Sequence, residues 1–258
     1  MDLFVEESGA GDPVVLVHGS WDDRHVFAPL AAELASDFRV IRYDRRGHTD
    51  SGDGDVPGTR RDDEDDLAAL IEALAIEPAH VVGNSFGGSI ALGLAIRRPE
   101  LFRSLVVHEP PLLALAGDDP EVAQVGQALG PVVEMIARGE GEAAAQFFVE
   151  NVAIGPGAWN ALPAEQRATL AANAGTFAEE TQDPNGFGID VDGLAQLDVR
   201  VLVTGGTESP PFFGAIAAEL AATAPAGEQR SVAGAGHVPH ETHPADYAQI
   251  VAAFIGSA

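Results

Sequence analysis

The chain has 258 residues, 46% of them hydrophobic, and a formal net charge of −26 at pH 7. A chain of this length and apolar content buries a large core, which excludes a disordered protein, and its charge disfavours nucleic acid and anionic membrane surfaces as partners. It has no cysteine, no apolar run near the roughly 20 residues of a membrane span, and no signal-peptide pattern at its start. We therefore expect a cytoplasmic monomer or homodimer with no nucleic-acid or membrane partner.

Two interpretations of the acidic excess stay open. Every basic residue is arginine, and alanine and glycine are abundant, which favours the composition of a GC-rich genome over adaptation to salt. The densest acidic run follows Arg60 and Arg61 and ends at Asp66. It is interpreted as the solvated start of a helix, where the helix dipole favours carboxylates. A metal site is the less favoured alternative for this run.

Short apolar strands alternate with amphipathic helices along most of the chain. The predicted strands are residues 3–6, 14–17, 38–43, the run from 81 toward 85, 105–107, 199–203 and 229–232. The predicted helices start at 22 or 23 and end near 36, surround 67–74, and span 85–98, 211–222 and 244–255. This alternation predicts the α/β class, with a mostly parallel twisted sheet of about seven or eight strands and helices on both faces.

The alternation lapses between residues 110 and 198. This stretch has helical patterns that are broken by glycine and proline, with apolar anchors such as Phe148 and Trp159. We predict a helical cap, residues 110–198, inserted into a core formed by residues 1–109 and 199–258.

The pattern Gly-x-Ser-x-Gly spans residues 83–87, between an apolar strand and a helix. A sharp strand-to-helix reversal strains its central residue, Ser85, and holds that side chain clear of the sheet, while the glycines let strand and helix pass. The pattern predicts a nucleophile elbow, with an ordinary glycine-rich turn as the alternative. A serine hydroxyl becomes a nucleophile when a histidine accepts its proton. His237, in the glycine-rich loop after the last strand, is the predicted base, ahead of His240 and His243.

Four motifs, in this order, resemble those of the α/β-hydrolase fold family and cover essentially the whole chain. They are His18-Gly19, Asp44-Arg45-Arg46-Gly47-His48-Thr49-Asp50-Ser51, Gly83-Asn84-Ser85-Phe86-Gly87-Gly88 and Gly234-Ala235-Gly236-His237. The resemblance implies two-step acyl transfer that needs no metal or organic cofactor. It also implies an oxyanion hole that uses the backbone N–H groups of Phe86 and Ser20, with Gly19 as the alternative to Ser20.

The acid behind His237 departs from the family's common pattern. The family usually places an aspartate in the loop after the strand at 199–203, but Ser209 stands there, and Glu208 is one residue off. A second known location is the end of the family's sixth strand, immediately before the cap, where Glu109 stands. We predict Ser85, His237 and Glu109 as the catalytic triad, with Glu208 as the alternative acid.

This relocated acid makes the chain similar to the zearalenone lactonases, fungal macrolactone hydrolases with a Ser-His-Glu triad. The segments that carry this similarity are Val107-His108-Glu109-Pro110, Ser209-Pro210-Pro211-Phe212-Phe213, Gly236-His237-Val238-Pro239 and His243-Pro244. We expect an apolar ester or lactone substrate in a pocket lined by Trp21, Phe148, Trp159 and His240. Packing in the core or in the interior of the cap is the alternative for Trp21, Phe148 and Trp159. A carbon–carbon bond hydrolase, or a ligand receptor that retains the triad, are the alternatives.

Overall fold

A seven-stranded sheet forms the centre of the protein. The computed structural model describes residues 2–52, 58–117 and 119–256, and the strands within these ranges are β1 (Val5–Ser8), β2 (Asp12–Val17), β3 (Phe38–Tyr43), β4 (Ala79–Asn84), β5 (Phe102–His108), β6 (Arg200–Gly206) and β7 (Gly227–Val232). Their order across the sheet is β1-β3-β2-β4-β5-β6-β7. Neighbours pair in parallel, except that β1 runs antiparallel to β3 at one edge. The predicted α/β class with a mostly parallel sheet is confirmed.

The first strand lies two residues later than the sequence predicts. It pairs with β3 from Val5, opposite Tyr43, to Ser8, opposite Val40. The bounds of an edge strand are set by the hydrogen bonds that its neighbour offers, and the apolar pattern of residues 3–6 does not contain that information. The prediction of 3–6 was therefore wrong in its bounds.

Helices cover both faces of the sheet. In chain order they are α1 (Ala28–Leu34), α2 (Arg60–Ala73), α3 (Phe86–Arg97), α4 (Pro120–Ala137), α5 (Gly141–Phe148), α6 (Ala158–Ala161), α7 (Ala164–Ala172), α8 (Ala174–Gln182), α9 (Val191–Leu194), α10 (Pro211–Thr223), α11 (Pro239–Thr242) and α12 (Pro244–Ile255). Helices α2, α3 and α10 pack on one face, and α1 and α12 pack on the other. Alternate residues of β2 serve the two faces: Val15 and Val17 join the first core, and Val14 and Leu16 join the second. Burial of each such side chain stabilises the fold by about 1.5–3 kcal/mol.

Helices α4–α9 lie between β5 and β6, in the stretch where the sequence predicts an inserted cap, and we call them the cap helices. Apolar side chains of α4–α8 form a third cluster, which includes Val132 and Trp159, whereas Leu194 of α9 joins the first core. Trp21, from the loop after β2, belongs to the third cluster and stacks 5.2 Å from the ring of Phe148 and 4.8 Å from that of Phe177. The loop after β2 is therefore packed against the cap helices. Within the described ranges, no helix combines the length and hydrophobicity of a membrane span.

The acidic run at the start of α2 is partly buried, so the prediction of a solvated helix start was wrong for part of it. Asp62 completes a capping box with Thr59 at the helix N-terminus. Asp63 and Glu64, however, are buried and paired with arginines. Glu64 also lies within 3.2 Å of Arg60 at the start of the same helix. The other partners, Arg45 and Arg97, come from elements distant in the sequence, which is why the run alone did not reveal those pairings. In the described part of the chain, no group of three or more His, Asp or Glu side chains could hold a metal ion.

Arg45, in the loop after β3, is buried and joins three parts of the protein. Its guanidinium contacts both carboxylate oxygens of Asp63 on α2, at 3.1 and 2.8 Å. It also lies 2.8 Å from the carboxylate of Glu180 on cap helix α8 and donates to the carbonyl of Gly19 at 3.2 Å. Glu180 in turn accepts a hydrogen bond from the hydroxyl of Ser20. One buried cation therefore ties α2, a cap helix and the loop after β2 together.

Replacement of Glu180 by alanine should strongly destabilise the protein, because it removes one of the two carboxylates that pair with a buried guanidinium. Breaking a buried ion pair by removing one partner typically costs about 3–5 kcal/mol. We expect a loss of that size in the free energy of unfolding, measured by urea denaturation. The matched control is Glu33→Ala, at an exposed position on α1, which should change that free energy by about 0.5 kcal/mol or less. Equal losses in the two variants would contradict the role assigned to Glu180.

Candidate active site

Ser85 occupies a sharp turn between β4 and α3. Its backbone has φ 51° and ψ −125°, a conformation that costs a residue other than glycine about 1–3 kcal/mol. The turn fits because two neighbours lack side chains. A Cβ on Gly83 would stand 2.5 Å from the carbonyl oxygen of Gly87, and one on Gly87 would stand 2.2 Å from that of Val17. The turn therefore has the elbow geometry that the sequence predicts.

The backbone amides of Phe86 and Ser20 have no hydrogen-bond acceptor among the described residues. Phe86 is the first residue of α3, where helix amides point outward without partners. Ser20 lies in the loop after β2, which approaches the elbow so closely that a Cβ on Gly19 would stand 3.0 Å from the Cβ of Ser85. Free N–H groups beside a nucleophile are what a developing oxyanion requires. These predicted donors therefore stay the candidates for the oxyanion hole.

His18 supports the same loop. Its Nε2 accepts a hydrogen bond from the amide of Arg45 at 3.0 Å, so its Nδ1 carries the proton and donates to the carbonyl of Gly19 at 2.9 Å. Burial, with the charges of His48 and Arg45, lowers the pKa of His18 well below its ordinary value. The ring is therefore neutral and fixes the loop that carries the candidate oxyanion donor.

Glu109, immediately after β5, holds His237 by a short hydrogen bond. Its Oε2 lies 2.7 Å from Nδ1 of His237, and its Oε1 accepts from the amide of Gly206 at 2.8 Å. Burial alone would raise the pKa of the Glu109 carboxyl, but the hydrogen bond and charge of His237, together with the charge of His108, outweigh it and hold the pKa at about 2. Glu109 is therefore ionised at neutral pH. It keeps the proton of His237 on Nδ1, which leaves Nε2 to accept another.

Two side chains fasten the loop that carries His237. Asn84 donates to the carbonyl of His237 at 3.0 Å, and Nε2 of His108 donates to the carbonyl of Gly236 at 3.3 Å. Burial lowers the pKa of His108 to about 4, against the charge of Glu109, so the ring is neutral at neutral pH. These contacts limit the movement of the candidate base relative to β4 and β5.

The alternative acid, Glu208, is not brought to His237. Its side chain is exposed and forms no ion pair within the described ranges, and its amide donates to the carbonyl of Ala235 at 2.9 Å. Ser209, at the family's usual acid position, has a buried hydroxyl without a hydrogen-bond partner of ordinary geometry in the described residues. It nevertheless lies close enough to contribute to the low pKa of Glu109. The geometry favours Glu109 over Glu208 as the partner of His237.

Ser85 and His237 open into a cavity of about 420 Å³ against the cap helices. The predicted pocket residues Trp21 and Phe148 line it. Much of the remaining wall consists of apolar side chains, among them Val149, Ala153, Ile154, Leu162 and Leu170. The Ser85 hydroxyl makes no hydrogen bond to a described residue, and such catalytic hydrogen bonds often tighten only when substrate is bound.

The other two predicted pocket residues lie elsewhere, so their assignment to the pocket was wrong. Trp159 is buried in the cap cluster, where the guanidinium of Arg167 stands 6.0 Å from its ring. His240 is fully buried and packs 4.5 Å from the ring of Phe27 in the core on the other face of the sheet. Aromatic residues suit the wall of a pocket and the interior of a cap equally well, so residue type did not separate the two.

Sequence reasoning missed several residues that hold the site together. Asn84 and His108 are the immediate neighbours of Ser85 and Glu109, and this adjacency was the one available signal for them. Arg45 lies within a recognised motif, but the motif does not say what the side chain contacts. Glu180 belongs to no motif, and nothing in the sequence links it to Ser20.

A sequence model of the alpha/beta hydrolase family matches residues 14–250. The solved structure of an alpha/beta hydrolase from Sphaerobacter thermophilus DSM 20745 is 30% identical, with a TM-score of 0.77, and the match covers 98% of this chain and 95% of that one.

Two curated relatives are similar to part of the chain. One is the 2-hydroxymuconate semialdehyde hydrolase of Pseudomonas sp. (strain CF600), 42% identical over 110 residues, which are 40% of this chain and 38% of the relative. The other is the pimeloyl-(acyl-carrier protein) methyl ester esterase of Chromobacterium violaceum, 42% identical over 107 residues, which are 42% of this chain and 40% of the relative. The chain thus matches about two fifths of the length of each. The family match, in contrast, runs from β2 into α12, and the chain belongs to the alpha/beta hydrolase family.

Proposed function

We propose that the protein is a serine hydrolase that cleaves a carboxylic ester or lactone through an acyl-enzyme intermediate. The observation that carries the proposal is the 2.7 Å contact of Glu109 with His237, which lines the same cavity as the strained Ser85. A carboxylate that orients a histidine lining the same cavity as a serine is the arrangement that general-base activation of the serine requires. The similarity to an esterase adds support.

The reaction follows from this arrangement. The Oγ of Ser85 attacks the carbonyl carbon while its proton passes to Nε2 of His237, and the amides of Phe86 and Ser20 bind the oxyanion. The tetrahedral intermediate then breaks its bond to the alcohol oxygen, which takes the proton from His237. Water then attacks the carbonyl carbon of the acyl group while its proton passes to His237. The bond to the Oγ of Ser85 breaks, Oγ takes the proton back, and the carboxylic acid is released. Glu109 stays ionised throughout and stabilises the imidazolium.

The cavity supports a small, largely apolar substrate. Its volume of about 420 Å³ lies within the range of roughly 300–1,000 Å³ that is typical of small-molecule sites. Apolar side chains make up much of the wall next to Ser85, so burial of an apolar acyl or alcohol group would contribute to binding.

Carbon–carbon bond hydrolysis is the second candidate, because one relative is named a 2-hydroxymuconate semialdehyde hydrolase. Direct comparison of 2-hydroxymuconate semialdehyde with a panel of p-nitrophenyl esters and lactones decides between the two. We expect the larger kcat/KM for an ester or lactone. A larger value for the semialdehyde would replace our first proposal with the second.

Ser85 should react covalently with a fluorophosphonate probe. We expect labelling of the wild-type protein and none of Ser85→Ala, because the probe requires an activated serine hydroxyl. The matched control is Ser36→Ala, which removes a serine on the protein surface and should leave labelling intact. A wild-type protein that is not labelled but binds a small ligand without turnover would favour the receptor alternative.

Replacement of Glu109 by glutamine should lower kcat by about 10³–10⁴, because loss of a triad carboxylate mis-sets the tautomer of the histidine. Glu208→Gln is the matched control, since it makes the same chemical change at the exposed alternative acid. We expect its kcat to stay within about twofold of wild type. The reverse pattern in steady-state assays would move the acid to Glu208.

The pH dependence of kcat/KM should show that Glu109 does not gain a proton in the pH range in which the enzyme is active. Its pKa is lowered to about 2, so the carboxylate and its bond to His237 persist until the pH falls toward that value. The acid limb of kcat/KM above about pH 5, where His108 is still neutral, should therefore not steepen through Glu109. Asp22 is a second carboxyl that lines the cavity, and its pKa is raised, so the profile is also recorded for Asp22→Asn. A limb that steepens to a slope of two in both proteins would contradict the lowered pKa of Glu109.

A further inference from the structure

One end of the active-site cavity is acidic, although much of its wall is apolar. Asp22 and Glu241 line the cavity described above, together with Gln166. The same three residues also line a second cavity of about 330 Å³, to which Asp23 and Glu165 contribute. The two shared carboxylates therefore stand where the catalytic chamber meets an acidic outer pocket.

Asp22 is a carboxylate without a partner. Its side chain forms no hydrogen bond or ion pair with any residue in the described ranges, and it is half-buried and lines both cavities. Burial, with the charges of Glu241 and Asp23, raises the pKa of Asp22 well above its ordinary value, against the opposite effect of Arg45. An ionised carboxylate in such a place is unfavourable unless a cation or hydrogen-bond donor meets it.

Glu241 does not relieve this cost, because it carries the same charge. Its carboxylate accepts hydrogen bonds from Gln166 at 3.1 and 3.2 Å and has no arginine or histidine partner within the described part of the chain. The positive charge that acts on Asp22 is that of Arg45, which is already paired with Asp63 and Glu180. His25 also lines the second cavity, but its ring is paired with Asp23. No arginine is among the described residues that line the two cavities.

We infer that Asp22 and Glu241 form a cation-binding subsite, so the ester or lactone that the protein hydrolyses carries an ammonium group beside its apolar body. The inference rests on the proposed esterase function. An ammonium ion between the two carboxylates gives Asp22 the partner that it lacks and is attracted more strongly there than in water, since the surroundings have a lower dielectric constant. The net charge of −26 also attracts cations and repels anionic substrates.

Two pairs of matched substrates test the inference, because the ammonium group can belong to the alcohol or to the acid. The first pair is acetylthiocholine and its neutral isostere S-(3,3-dimethylbutyl) thioacetate. The second is p-nitrophenyl 4-(trimethylammonio)butyrate and the isosteric p-nitrophenyl 5,5-dimethylhexanoate. In at least one pair we expect the wild-type kcat/KM to be about tenfold or more higher for the cationic member, mainly through a lower KM.

Asp22→Asn should reduce that cationic preference by about tenfold, and Glu241→Gln should reduce it to a smaller extent. Glu33→Gln removes one negative charge from an exposed position that lines neither cavity and should leave the preference unchanged, which separates local contact from net charge. Hydrolysis of both members with no cationic preference in either pair, or a preference that survives in Asp22→Asn, would overturn the inference and leave the esterase proposal intact. Failure to hydrolyse any ester, with no fluorophosphonate labelling, would instead overturn the proposed function.

Discussion

The buried guanidinium of Arg45 is the interaction on which the arrangement of the candidate site depends. A charge removed from water must be paired, and Arg45 is paired with Asp63 on α2 and Glu180 on α8. Glu180 also accepts the hydroxyl of Ser20. A shift of the loop after β2 would therefore disturb a buried ionic cluster. The position of a candidate oxyanion donor is set by a cap helix, so the cap helices support the proposed chemistry as well as enclosing the cavity.

Backbone strain marks the same region. Of the five residues other than glycine with positive φ in the described ranges, three follow the carboxyl ends of parallel strands and belong to the site: Trp21, Ser85 and Glu109. Each is held by its surroundings, Trp21 by the aromatic rings of the cap, Ser85 by the close passage of β4 and α3, and Glu109 by Gly206 and His237. Strained conformations persist where surrounding contacts over-determine them, and they concentrate at functional sites.

The sequence predicts what depends on local pattern. The alternation of strands and helices predicts the sheet, and the glycines around Ser85 predict its turn. Both predictions depend only on residues that are close together in the sequence. The choice of Glu109 as the partner of His237 came from the family resemblance, which implies an acid at the end of that strand. Strand geometry adds only that parallel strands bring their carboxyl ends to one edge. The contact of Glu180 with Arg45 and Ser20 was not accessible, because it depends on how the cap helices fold over the core. The same reason explains why the sequence predicts a pocket wall at Trp159, which packs in the third cluster.

Two carboxylates of the site show how environment separates the roles of one functional group. Glu109 is buried, but a histidine and a backbone amide meet its oxygens, and its pKa falls to about 2. Asp22 has no such partner, and burial, with the charges of Glu241 and Asp23, raises its pKa. Carboxyl groups whose surroundings push their pKa values apart serve different purposes in one active site. Glu109 is suited to hold a permanent charge behind the base, and Asp22 to gain its counter-charge from a ligand. The acidic end of the cavity is therefore the part of the structure from which substrate chemistry is best argued.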